Sequence, residues 1–278
     1  TSTSALGLQT GYNSLTNPTL LPASGSILLT GASFSNSRLS TDPFWTPTTF
    51  RGAFGTQDWT AGWANFNPNG TNYSVPGVIQ VTADITTNTT WTKDNIYVLN
   101  GYRYIKDGAT LTIEPGTLIK GDKASKATLI VSKTGKIIAN GTACEPIVFT
   151  SNEPAGQRTY GDWGGIVMLG NATINVAGGS GLIEGGLLGA DATYGGTNDD
   201  DSSGVLRFVR IEFPGIAFQP NNEINGLTMG GVGRKTVLEN IQVSYSGDDS
   251  YEWFGGTVNG RNLIAIRGWD DDFDVDFG

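Results

Sequence analysis

Residues 236–276, TVLENIQVSYSGDDSYEWFGGTVNGRNLIAIRGWDDDFDVD, hold the densest chemistry in the chain: Asp248, Asp249, Glu252, Asp270, Asp271, Asp272 and Asp274, interleaved with Tyr251, Trp253, Trp269 and Phe273. The stretch reads as two copies of one pattern offset by 22, so Asp248 and Asp249 fall on Asp270 and Asp271, and Tyr251 falls on Phe273. Each copy opens with an apolar strand, Ile241 and Val243 in the first and Leu263, Ile264 and Ile266 in the second. A period near ~20 with strand formers in every copy is what a solenoid coil gives, because each turn lays similar side chains on those of the turn below. The acids are therefore expected to form a ladder. Ca²⁺ takes several carboxylate and carbonyl oxygens, which makes these seven acids candidate Ca²⁺ ligands and Ca²⁺ the candidate cofactor. Their spacing matches neither the EF-hand loop nor the glycine-rich nonapeptide repeat. The competing reading is a solvated acidic face partly paired with Arg261 and Arg267.

Other chemistries are narrowed by what the chain lacks. It contains no histidine, so a His general base, a Ser-His-Asp triad and a His-ligated metal are excluded. Paired carboxylates remain, Asp248 with Asp270 or Asp271, as do Arg210 and Arg267 as bases. Trp253 and Trp269 beside the acids are candidate sugar contacts, since a flat indole is a rigid apolar surface with a polar edge. The net charge of −9 and a pI near 4.5 argue against a nucleic-acid partner, whose phosphates would be repelled. Cys144 is the only cysteine, so no intrachain disulfide forms, and beside Pro146 it is expected to be buried as a small apolar residue. Five Asn-x-Ser/Thr sites (Asn69, Asn72, Asn88, Asn140 and Asn171) are accounted for by composition, and Gly230 to Gly233 lacks the context of a nucleotide loop.

The elements that must position these groups are strands. Glycine is 40 of 278 residues and charged residues are 15%, a composition suited to many tight corners between half-buried strands. From Asn95 onward, TLTIEPGTLIKGD, ATLIVSKTGKIIANGT, EPIVFTSN and GGIVMLGNATINV each hold a short apolar strand ended by Gly, Asn or Asp. Leu111 and Leu129, Ile119 and Ile138, and Ile147 and Ile166, 18 or 19 apart, are read as equivalent positions on successive coils. That spacing leaves no room for crossover helices, and parallel strands joined by turns make a β-helix. Residues 74–278 are assigned to it, with a loop insertion at about 177–204 carrying Asp199, Asp200 and Asp201. Residues 1–73 form an extended, aromatic-rich segment. Its Trp45, Phe50, Phe54, Trp59, Trp63 and Phe66 are expected either to cap or join a coil stack or to offer a sugar-stacking platform.

The segments GDWGGIVMLGNATI, LRFVRIEFPGIAF, NNEINGLTMGGVG, QVSYSGDDSYEWFGG and RGWDDDFD resemble a family of large secreted bacterial β-helix proteins carried to the cell surface by a terminal sorting domain. The resemblance covers about residues 95–278 and implies an all-β fold, a right-handed parallel β-helix. It brings no catalytic residues. FRGAFGTQDWTAGWANFNP at 50–68 resembles the closing segment of such proteins, yet stands ahead of the first coil here, which suggests a permuted chain or a slice of a longer one. The Gly-His-Gly motif of polygalacturonase-type β-helices and the Arg-x-Pro-x-x-Arg pattern of pectate lyases are absent.

No apolar run reaches the ~18 residues of a membrane span, and the chain opens at Thr1 without a signal-like core, as expected of a processed or excised piece of a secreted protein. The expectation from sequence is a non-enzymatic extracellular structural protein, a β-helix subunit of a surface fibre, filament or adhesin stalk that self-assembles end to end with copies of itself. The alternative is a carbohydrate-binding or polysaccharide-cleaving, lyase-like β-helix whose partner is a polysaccharide or cell-surface glycan.

Overall fold

The computed structural model describes the backbone of residues 3–219 and 222–278 and the side chains of 5–216 and 223–278. Thr1 and Ser2 of the expected N-terminal segment, and Asn221 of one quoted motif, lie outside the described residues. The chain divides into two compact units, Thr1–Ala61 and Gly62–Gly278.

The first unit is built of turns, as its Ser, Thr, Asn and Gly content dictates. A one-turn helix at Ser37–Ser40 starts where the Asn36 side chain accepts a hydrogen bond from the Arg38 N–H, a helix N-cap. Phe54 and Trp59 stack at 5.3 Å, and Phe44 meets Trp45 edge-on at 5.1 Å.

The second unit is a parallel β-helix. Strands stack in three columns, every coil pairing in parallel with its neighbours. One column runs through Gly77–Val81, Asn95–Leu99, Leu118–Gly121 and Ile147–Ser151, and a second through Thr89–Trp91, Thr110–Ile113 and Lys136–Asn140. The long strand Gly204–Glu212 joins them, pairing with Lys136–Asn140 through its first half and with Ile147–Ser151 through its second. Its corner falls at Phe208, whose φ is 49°, and the same left-handed corner recurs at Asn240 and Asn262 in the coils that follow. Asn tolerates that conformation, whereas Phe does so only when packing holds it. Trp63 meets the Phe208 ring edge-on at 5.9 Å.

The third column is Tyr102–Ile105, Thr128–Val131, Gly165–Leu169, Leu227–Val232, Tyr251–Gly256 and Phe273–Asp276. Strand side chains alternate between two faces. Leu129, Ile166, Leu227 and Tyr251 therefore point inward, directly above one another in register, and all four are buried. The same register sets Glu252 over Asp274 on the outer face.

The coil spacing differs from the sequence expectation. Leu111 pairs with Ile137 and Leu129 with Ile166, while the pairs 18 or 19 apart lie on different columns. A coil with several strand sides repeats strand chemistry within a single turn, so the short spacing measured the distance from one side to the next. The coil itself is 22 residues from Thr89 to Leu111 and from Tyr251 to Phe273, and longer where an excursion leaves it.

The excursion between Leu169 and Gly204 is not merely thrown out from the coil. A hairpin of Gly181–Leu182 with Thr193–Tyr194 packs Ile183, Leu187, Ala192 and Tyr194 back onto Ile130, Val167, Leu169 and Phe254 of the third column. Asp199 and Asp201 accept backbone hydrogen bonds from Thr173 and Asn171 at 3.0 and 2.8 Å, and Asp199 pairs with Arg234. The acid run is a fastening.

Residues 62–73 belong with the coils. The Arg158 guanidinium donates to the Pro68 and Thr71 carbonyls, each at 3.0 Å. Gln242 donates to the Asn65 carbonyl and accepts from its N–H. Tyr73 donates its hydroxyl to the fully buried Glu212 at 2.8 Å. Burial pushes the Glu212 carboxyl up, against the nearby Arg210 charge, which lowers it. Cys144 is exposed, contrary to the expectation from its small apolar character, because it sits in the turn between Asn140 and Ile147 that faces water. Among the described residues no helix is long and apolar enough to cross a membrane.

Candidate functional site

The acids of the last coils converge at the start of the third column. Asp248 and Asp249 lie in the turn before Tyr251–Gly256, and Asp270 and Asp271 in the turn before Phe273–Asp276. The two turns are stitched together. Ser250 donates its N–H to the Asp271 carbonyl at 2.9 Å, and Asp271 donates its N–H to an Asp249 carboxylate oxygen at 2.8 Å. Two groups result. The outer is Asp248, Asp249 and Asp270, and the inner is Asp249, Glu252 and Asp274, with one oxygen from each acid within 4.8 Å of the others in both groups. Asp271 and Asp272 are exposed and belong to neither. Arg267, expected to neutralise an acidic face, lies over the Tyr245 ring and donates to its hydroxyl.

The electrostatic consequence follows from burial and crowding. Asp248 is pushed up to about 7, first by burial and then by the charges of Asp249, Glu223, Asp270 and Glu184. Asp249 rises to about 6, chiefly by burial, although the Asp271 N–H holds it down in part. Burial comes first for Glu252 too, followed by Glu184, Asp249, Asp274 and Asp276, which together push it up to about 9. Like charges this close cannot all ionise.

Sequence reasoning missed two members of the cluster. Asn225 is fully buried, and its amide donates to the Glu252 carboxylate. A signal for it exists: Gly226 and Leu227 donate to the Asp249 and Ser250 carbonyls, so INGLTMGG is a third copy of the repeat, with Asn225 where the next copy has Asp249. Glu184 comes from the excursion, hydrogen-bonds to Glu252 and Asn225, and is raised first by burial. Nothing in its sequence surroundings repeats, so no periodicity announces it.

An aromatic shelf adjoins the acids. Trp269 is 74% exposed and stacks on Tyr160 at 5.5 Å. Tyr160 leans on Tyr245 at 5.3 Å, and Tyr245 stacks on Phe213 at 5.1 Å. The Arg267 guanidinium lies 5.2 Å from the Tyr245 ring centroid. Phe213, Tyr245 and Arg267 are the left-handed corner residues of three successive coils, which is why they form a column. Trp253, the second candidate sugar contact, points inward instead. It packs against the core beside the Tyr251 and Phe273 rings, which stack on each other at 5.2 Å.

Of the other named residues, Trp45, Phe50, Phe54 and Trp59 lie in the first unit and Phe66 and Trp63 in the second. Trp63 is fully buried. Arg210 is largely buried, donates to the Trp63 carbonyl and pairs with Glu212, an anchoring role that removes it as an open-groove base.

No curated protein and no solved structure matches the chain. The pectate-lyase-like β-helix domain matches residues 83–278, the stretch that spans every coil carrying the acids and the shelf. On its parallel coils and on that match, the chain belongs to the pectate-lyase-like β-helix domain family.

Proposed function

We propose that this chain is an extracellular β-helix that binds polysaccharide along the last coils. One observation carries the reading: the Trp269 ring is presented to solvent, backed by Tyr160 and Tyr245, next to carboxylates that accept hydrogen bonds from hydroxyl groups. A pyranose lays its C–H face on such a ring, and the ring needs little ordering on binding because packing already holds it. A uronate approaching this site meets like charge, so acidic glycans bind only with a cation between the two. Trp269→Ala is expected to weaken retention in affinity electrophoresis through immobilised polysaccharides about tenfold, the equivalent of ~1.4 kcal/mol. No retention by any neutral or acidic polysaccharide, or retention untouched by the substitution, overturns the reading. The same incubations, followed for unsaturated or reducing-end product, separate cleavage from binding.

A second reading, a fibre or adhesin stalk assembled end to end, is supported by a separate surface. Trp253, Gly255, Gly256, Val258, Val275 and Gly278 line a hollow of about 290 Å³, and Val275 is 65% exposed. A further coil, from a second copy or from the same polypeptide, fits this apolar lining. Sedimentation is expected to show association that rises with concentration and is lost in Val275→Asp. A monomer at every concentration excludes self-assembly.

A further inference from the structure

The inner acidic group is more than a crowd of carboxylates, because a buried amide with an unanswered acceptor is hydrogen-bonded into it. Asn225 is 0% exposed. Its amide nitrogen is used by Glu252, and its Oδ1 has no hydrogen-bond partner among the described residues. A buried acceptor without a donor is rare in folded proteins. Every neighbour that could answer it, Glu252, Glu184, Asp249 and Asp274, supplies acceptor oxygens when ionised. The Ser250 hydroxyl, fully buried in the same turn, also lacks a partner among the described residues. In the metal-free chain a proton shared by Glu184 and Glu252 answers part of this crowd of acceptors; a cation that displaces it answers them together.

We propose that Asn225 Oδ1 and the carboxylates of Asp249, Glu252, Asp274 and Glu184 form a Ca²⁺ site that clasps the 170–203 excursion onto the last two coils. The spacing fits. Two oxygens on opposite sides of an ion with ~2.4 Å bonds are about 4.8 Å apart, and the three carboxylates of the inner group fall within 4.8 Å. The donor set is all oxygen, four carboxylates and one amide carbonyl, which suits a hard cation of flexible geometry and offers nothing to metals that prefer nitrogen or sulfur. The elements also explain what the ion does. Asp249 and Glu252 come from one coil and Asp274 from the next, Asn225 from the coil before them, and Glu184 from the hairpin packed over the outer face. The ion replaces mutual repulsion with a common partner, and the hairpin is held by charge as well as by Ile183 and Leu187.

The inference does not rest on polysaccharide binding, and its test contains no sugar. The chain freed of metal with a chelator is titrated with Ca²⁺ in a calorimeter, and chymotryptic cleavage within 170–203, at the buried Leu187 and Tyr194, is followed with and without the ion. Saturable binding of one ion per chain is expected, with cleavage inside the excursion slowed at least about tenfold on saturation, since local opening then requires release of the ion. Asp274→Asn and Glu184→Gln are each expected to weaken Ca²⁺ about tenfold or more without lowering the melting temperature of the metal-free chain, because each removes a repelling charge. No heat at millimolar Ca²⁺, or binding unchanged in both variants, overturns the site. Loss of Ca²⁺ binding with Trp269 still retaining polysaccharide would leave the shelf reading intact.

Discussion

Metal-free protein is expected to melt at a higher temperature at pH 5.5 than at pH 8.5. The carboxyls of Asp249, Asp248 and Glu252 are pushed up to about 6, 7 and 9 in the folded chain, against ordinary values near ~4. Between those limits the native state holds protons that the unfolded chain has released. Stability then falls as pH rises, by up to about 1.4 kcal/mol per pH unit for each such proton. Glu184 and the fully buried Glu212 are raised as well and act with the same sign. Asp199 is lowered, by backbone and side-chain hydrogen bonds from Thr173, and its contribution disappears only on the acid side of the window. Because the cluster is partly open to solvent, screening reduces the sum, which leaves on the order of 3 kcal/mol, or roughly 5–10 °C. Thermal melts in chelator across this range, followed by circular dichroism, measure it. A melting temperature that is flat or rises with pH would show that the carboxylates do not crowd one another in the folded chain. Saturating Ca²⁺ is expected to flatten the slope by raising the melting temperature most at the alkaline end.

That electrostatic feature was largely legible in the sequence, and the reason is the repeat. Where two copies keep their residues at the same offset, as Tyr251 with Phe273 and Glu252 with Asp274, the offset is the register, and side chains stack as the spacing implies. Where coils carry excursions the offset changes, and apolar residues on adjacent sides of one coil, such as Ile147 and Ile166, imitate a shorter period. Asn225 was hidden by a substitution within the pattern, Asn for Asp, which preserves the position while removing the charge that drew attention to its neighbours. Glu184 was illegible for a different reason: a hairpin that folds back over a sheet places its side chains by tertiary packing, and no local spacing encodes that. Aromatic density also misled. Trp59 and Trp63 are four residues apart in one aromatic run, yet a unit boundary falls between them, and Trp63 is consumed by the corner at Phe208.

Gly204→Ala is expected to destabilise the chain by about 4 kcal/mol. Gly204 opens the strand that joins two columns into one, and its φ of 123° is a conformation that only glycine adopts without strain. A Cβ there would lie 1.8 Å from the Ile137 carbonyl oxygen, 2.8 Å from its carbon and 3.0 Å from its nitrogen. All three are backbone atoms of the coil below, so no rotamer change relieves the clash. Relief requires lifting the start of the strand, and with it the parallel pairing of Gly204 through Arg207 on Ile137 through Asn140. Leu206 would lose its buried place above Ala139 at the same time. Gly178→Ala separates the two sources of strain. Its φ is 86° and an added Cβ meets nothing within 4 Å, so it carries the conformational cost alone, about 1–2 kcal/mol. Thermal melts of both variants beside the parent are expected to show roughly a 10 °C loss for Gly204→Ala and a few degrees for Gly178→Ala. Equal losses would mean that the join between the columns has slack enough to admit a side chain, and that the pairing of Gly204 on Ile137 does not lock the coils above and below it in register.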